Sequence, residues 1–85
     1  MNYTVYILYS PSRDQFYIGH TSDLKDRLFR HNNSGSKSTK KANDWIIKCT
    51  EDYSTKGEAV ARELQIKKKK SRKYIEWLIA KQLKS

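Results

Sequence analysis

Eighty-five residues lie near the lower end of what a single hydrophobic core holds together unaided, so one small domain over 1–85 is expected. With 36% hydrophobic and 32% charged residues, two Trp, six Tyr and two Phe, the chain is too rich in aromatics and in both charge signs to be a disordered tail. Eighteen Lys and Arg against nine Asp and Glu give a formal charge of +9, a field that draws polyanions and makes nucleic acid the natural partner; the basic residues do not share the long amphipathic helix that an anionic membrane would favour.

Residues 3–9, Tyr-Thr-Val-Tyr-Ile-Leu-Tyr, are β-branched or aromatic nearly throughout and predict a strand buried on both faces or nearly so. The turn chemistry of Ser10-Pro11-Ser12-Arg13-Asp14, followed by renewed strand character over residues 15–20, predicts an antiparallel hairpin that brings Tyr6 and Tyr17 within reach of each other. Alternation puts Tyr6 on one face with Leu8, and Val5, Ile7 and Tyr9 on the other. A helix is expected from a cap at Thr21 or Ser22 to about His31, with Asp23 near the positive end of its dipole. Leu24, Leu28 and His31 recur at i, i+4 and i+7, and Arg27, one turn before His31, lies beside this apolar stripe, where a merely solvated arginine would be out of place.

Residues 32–44 are polar, lack apolar periodicity and make a long connection for so small a domain; a mobile basic loop is expected, its Lys37, Lys40 and Lys41 contacting nucleic acid. Residues 45–53 predict a third strand that completes the sheet. Ser54 or Thr55 then introduces a second helix with Ala59, Val60, Leu64 and Ile66 spread over one broad arc, and Glu63, a carboxylate that needs an explanation, inside that arc. Lys67, Lys68, Lys69 and Lys70 suit the negative end of this helix and add a basic run that attracts phosphates. Ser71 can cap a third helix whose Tyr74, Ile75, Trp77, Leu78, Ile79 and Leu83 are expected to pack on the sheet. The order β-β-α-β-α-α predicts an α+β fold, a small three-stranded antiparallel sheet flanked by helices.

The lone Cys49, which fits burial as a small hydrophobe, forms no intramolecular disulfide, and there is no secretory apolar region or apolar run near 18 residues; a soluble, reducing, cytoplasmic setting is expected. There is no Cys-Cys zinc pattern, no serine or cysteine triad signature and no Gly-rich phosphate loop. What remains is Tyr, Arg, His and Glu in a strongly basic chain, a set that could hydrolyse a phosphodiester if the groups converge. Such a reaction needs a base for the water, positive charge beside the phosphorane and stabilisation of the departing oxyanion. Tyr17 could be that base if nearby positive charge lowered its pKa from about 10. Tyr6 could orient it, and Arg27 offers a guanidinium fork matched to phosphate oxygens. His31 and His20 could donate to the phosphate or position the water. Glu63, the one carboxylate inferred to face inward, suits Mg²⁺ with several waters, Mn²⁺ being an acceptable substitute. Taken singly, each also fits a structural role: strand aromatics, a helix-end histidine, a surface arginine, and a Glu63–Lys67 pair at i, i+4.

The order and spacing of these positions carry a resemblance that none of them carries alone. Val5-Tyr6-Ile7 and Tyr17-Ile18-Gly19 resemble the two signature triplets of the GIY-YIG nucleases, with Val in place of the first Gly. Residues 21–31 resemble the following motif, in which an Arg and a His one turn later belong to the active site, and residues 59–67 resemble the helix that carries the metal-binding Glu. The resemblance covers nearly the whole chain and is greatest to the short single-domain branch, often described as excinuclease-subunit-C-like. It implies Tyr17 as nucleophile activator, Arg27 as transition-state stabiliser and Glu63 as the ligand of one divalent metal, with Tyr6 and His31 in support. His20 stands where some relatives have a catalytic lysine, and no Asn follows Glu63, where several larger relatives use one.

The activity so implied is metal-dependent endonucleolytic hydrolysis of DNA. Branched, flapped or damaged substrates are favoured over a long specific sequence, because few residues are available to read bases. RNA stays open as a substrate, and a protein partner for targeting is compatible with so small a domain. The alternatives are a nucleic-acid-binding module with weak or no turnover and, beyond that, a structural or protein-interaction domain.

Overall fold

The computed structural model describes residues 2–33 and 42–83. In chain order these form β1 (Tyr3–Ser10), β2 (Gln15–Thr21), α1 (Leu24–Asn33), β3 (Ile46–Tyr53), α2 (Lys56–Lys69) and α3 (Arg72–Leu83). The connection expected to carry Lys37, Lys40 and Lys41 lies outside the described residues. The strands make one antiparallel sheet in the order β2-β1-β3, so the most apolar strand is the central one and Val5 through Leu8 are buried. The α+β architecture and its element order are those the sequence predicts.

Alternation along β1 divides the core in two. Val5 and Ile7, with Ile18 and Cys49 from the flanking strands, meet Ala59 and Ile66 of α2 and Leu78 of α3. On the opposite face Tyr6 and Leu8 pack with Trp45, and Tyr17, Leu24 and Leu28 close over them. Ala59 and Ile66 stand two turns apart and define the stripe that α2 lays on the sheet. Leu64, expected in the same arc, projects well round the helix from both and is exposed, as are Trp77 and Leu83 of α3. Because α3 packs at the β3 margin, only a narrow face of it reaches the core.

The element ends show why the chain turns where it does. Asp23, rather than Thr21 or Ser22, caps α1: its Oδ1 accepts from Asp26 N at 3.1 Å, while Thr21 still pairs with Thr4 in the sheet and its Oγ1 accepts from Asp23 N at 3.0 Å. The helix continues past His31 to Asn33. Asn32 then clamps the returning chain, Oδ1 accepting from Trp45 N at 2.7 Å and Nδ2 donating to Trp45 O at 3.1 Å, which holds Trp45 out of β3. Thr55 caps α2 and Lys70 ends it in the left-handed region at φ 46°. At the outer edge of the sheet, Lys48 is an extra residue between the Ile7–Cys49 and Leu8–Ile47 pairs, a β-bulge. Gln82 covers that edge, donating to Thr50 O and accepting from Thr50 N as a neighbouring strand would.

Candidate functional site

Tyr6 lies opposite Gly19 across β1 and β2. A Cβ on Gly19 would stand 2.5 Å from Tyr6 Oη, 2.7 Å from Tyr6 Cζ and 3.2 Å from Tyr17 Cε1. The glycine therefore leaves bare the strip of backbone over which the Tyr6 ring lies, and the hydroxyl reaches toward the outer strand β2. Tyr17, on the same face, stacks with Tyr6 at 6.4 Å between ring centroids. The hairpin thus brings the two tyrosines together as the alternation predicts.

From α1, His31 packs against Tyr17 with centroids 4.7 Å apart, and its Nε2 shares a 3.1 Å hydrogen bond with Tyr6 Oη. Both partners are almost fully buried. Burial, followed by the charge of Tyr17, raises the Tyr6 phenol well above the usual tyrosine range; Arg27 opposes this and Glu63 adds to it. His31 is pushed below the usual histidine range, by burial first and by Arg27 second. At neutral pH the two form an uncharged pair beneath an exposed arginine whose field reaches both. Tyr17 from β2 and His31 from α1 touch Tyr6, and the charges of Arg27 from α1 and Glu63 from α2 act on its phenol; all four are named from the sequence.

Glu63 comes to this edge from α2, where its side chain is only 14% exposed. His20 Nδ1 lies 2.6 Å from Glu63 Oε1, and Lys67 Nζ donates to Oε2 at 2.6 Å. Burial opposes ionisation of Glu63, but the hydrogen bonds and charges of Lys67 and His20 outweigh it and hold the carboxyl below its usual range. The i, i+4 pair with Lys67 and the inward orientation are both present. Each carboxylate oxygen keeps a lone pair beyond these bonds, and Lys67 is a half-exposed, flexible arm able to yield to a cation. Among the described residues no three His, Cys, Asp or Glu side chains gather as a metal cluster. Glu63 is a single carboxylate, a donor of the type that a hard divalent ion keeping most of its waters accepts.

Two features were not read from the sequence. Trp45, expected at the head of a strand, instead packs into the core beside Tyr6, its ring 6.4 Å from Tyr17 and 6.5 Å from His31. The Asn32 clamp that puts it there joins residues on either side of the long connection, so no local pattern signals it. Glu51 is a second carboxylate that turns inward, held below its usual range chiefly by Arg62, whose Nε and Nη2 donate to it at 2.8 and 3.2 Å. That pair ties β3 to α2. Of the basic run, Lys67 pairs with Glu63, while Lys69 lies over the Tyr74 ring.

Residues 2–75 match the family model described as the GIY-YIG catalytic domain. A UPF0213 protein of Halobacterium salinarum is 36% identical over 53 residues, covering 61% of this chain and 69% of that protein. A UPF0213 protein of Staphylococcus epidermidis is 40% identical over 52 residues, 60% of this chain and 63% of that protein, so the match spans less than two thirds of that relative. The solution NMR structure of a UPF0213 protein from Bacillus halodurans superposes with a TM-score of 0.58 at 31% identity, over 94% of this chain and 84% of that one.

Proposed function

This chain belongs to the GIY-YIG catalytic-domain family, and from that membership together with the convergence of side chains on Tyr6 we infer that it is an endonuclease hydrolysing phosphodiester bonds in DNA. The convergence carries the reading. It joins two stacked phenols and a hydrogen-bonded imidazole, which the charges of an exposed guanidinium and an ionised carboxylate reach.

In this mechanism Tyr17 reacts as its phenolate, its own proton having gone to solvent, and takes the proton from the attacking water. Tyr6, kept protonated by its burial, stacks on Tyr17 and fixes its place, and His31 holds Tyr6 through the buried hydrogen bond. Arg27 sets its fork against the non-bridging phosphate oxygens as negative charge grows on them. Glu63 would hold Mg²⁺ or Mn²⁺, with Lys67 displaced, and the ion when bound supplies positive charge to the departing oxygen. His20, hydrogen-bonded to Glu63, orients that carboxylate. With few groups on this domain to read bases, the protein prefers branched, flapped or damaged DNA, in a cytoplasmic setting and with a protein partner for targeting.

The test incubates the protein with labelled flap, nicked and plain duplexes in Mg²⁺, Mn²⁺ or EDTA, beside a Glu63→Ala variant shown by circular dichroism to be folded. Metal-dependent cutting that the variant loses is the expected outcome, with flaps cut fastest; equal rates on all three substrates would remove the structural preference. The ion pairs that already occupy Glu63 favour a second reading, a nucleic-acid-binding domain without turnover. Salt-sensitive binding with no cut under any condition would establish it.

A further inference from the structure

At the margin of the sheet away from β2, α3 presents an aromatic and cationic surface that the chemistry at Tyr6 does not use. Tyr74 and Trp77, one turn apart, stack with centroids 5.8 Å apart and planes at 29°. Lys69 Nζ lies 5.3 Å from the Tyr74 centroid and Lys81 Nζ lies 5.1 Å from that of Trp77. Trp77 is 54% exposed, unusual for so large an apolar ring in a chain whose other tryptophan is buried. Beside it opens a recess of about 360 Å³, floored by Cys49 and Leu78 and bounded by Arg62 and Gln82. The acidic groups near this surface are already matched: Glu51 is held by Arg62, and Glu76 faces Arg72.

We propose that Tyr74 and Trp77 form a stacking platform for unpaired bases of single-stranded nucleic acid, with Lys69 and Lys81 taking the flanking phosphates. The proposal rests on the nucleic-acid reading above and adds a second contact remote from the cleavage chemistry. Lysine over an exposed ring is a weak contact that a base, offering a full π face, outcompetes, and the released ammonium then meets the phosphate next to that base. A protein partner would have to bury these lysines, whereas a polyanion is attracted by them. Lys67 bonds to Glu63, and Lys69, two residues on, lies over Tyr74 at the same end of α2. Duplex DNA cannot use the platform along its length, because its base faces are already stacked.

The experiment measures binding of a fluorescein-labelled 12-nucleotide oligothymidylate and a 12-base-pair blunt duplex to the parent, Trp77→Ala and Lys81→Gln proteins, together with tryptophan emission during each titration. Trp77→Ala removes a largely exposed ring and leaves the fold in place. The expected result is quenching of parent emission by the oligothymidylate, about tenfold weaker single-strand binding in Trp77→Ala, unchanged duplex binding, and a shallower salt dependence in Lys81→Gln. Unchanged single-strand affinity in Trp77→Ala overturns the proposal, as does equal weakening toward both polymers. A dimer in sedimentation that Trp77→Ala dissolves would overturn it too and assign the surface to a second copy of this chain. Glu63→Ala separates the two readings: the platform predicts full quenching in that variant, whether or not the parent cuts DNA.

Discussion

Gly19 decides whether the tyrosine pair can exist, because the space a β-carbon would take is filled by the Tyr6 hydroxyl and ring. Gly19→Ala is expected to cost about 1–3 kcal/mol in urea denaturation and to alter the near-ultraviolet dichroism of the tyrosines, since the crowding atoms belong to a buried ring with nowhere to move. Tyr6→Phe keeps the ring and takes the hydroxyl from His31; a loss of about 1–2 kcal/mol is expected, and no loss would mean that the bond is idle. The pair also sets a pH dependence. His31 has a lower pKa folded than unfolded, so as pH falls below about 6.5 the unfolded chain takes the proton first and stability declines. The lowered carboxyls of Glu51 and Glu63 add their own loss only below about 4.3. Urea midpoints at pH 7.5 and 5.5 should therefore fall in the parent and stay nearly level in His31→Gln; parallel falls in both would clear His31 of the effect. The tyrosines, Arg27, His31 and Glu63 were nameable from residue type and spacing. The reason Gly19 must be glycine was not, because it depends on a neighbour thirteen residues away in the chain.

At the level of elements, the caps carry stability that can be measured without touching the pocket. Thr55 accepts from Glu58 N at 3.3 Å and donates to the Glu58 carboxylate at 2.9 Å, so Thr55→Ala should cost about 1 kcal/mol. Lys70 holds a left-handed conformation that a side chain resists, and Lys70→Gly should raise stability by about 0.5–1 kcal/mol. An unchanged or lower urea midpoint would count against that assignment. The strands, three helices and a cap at Ser54 or Thr55 were legible because periodicity and capping chemistry are local; the structure selects Thr55. The start of α1 was misread because Thr21 and Asp23 are equally good caps on paper. Only the pairing of Thr21 with Thr4 in the sheet reserves the role for Asp23. In the same way α3 reads as a core helix, yet its position at the sheet margin leaves Trp77 and Leu83 outside.

For the whole molecule, a charge of +9 predicts binding to nucleic acid that weakens steeply with salt. Duplex affinity measured from 50 to 200 mM NaCl should fall along a straight log–log line, and a flat line would remove the electrostatic basis for the nucleic-acid reading. Among the described residues no helix is long and apolar enough to cross a membrane. The sequence by itself determined the element order, the antiparallel hairpin, the division of β1 into two faces and the meeting of Tyr6 with Tyr17. All of these follow from side-chain period, turn chemistry and motif spacing, which act over a few residues. The tertiary structure alone decided that Tyr6 crosses Gly19 toward the outer strand, that His20 and Lys67 share Glu63, that Asn32 sets Trp45 beside Tyr17 and His31, and that Trp77 faces solvent beside Lys81. Each of these depends on which surfaces remain open once sheet and helices have packed, and burial is a property of the assembled chain that no window of sequence contains.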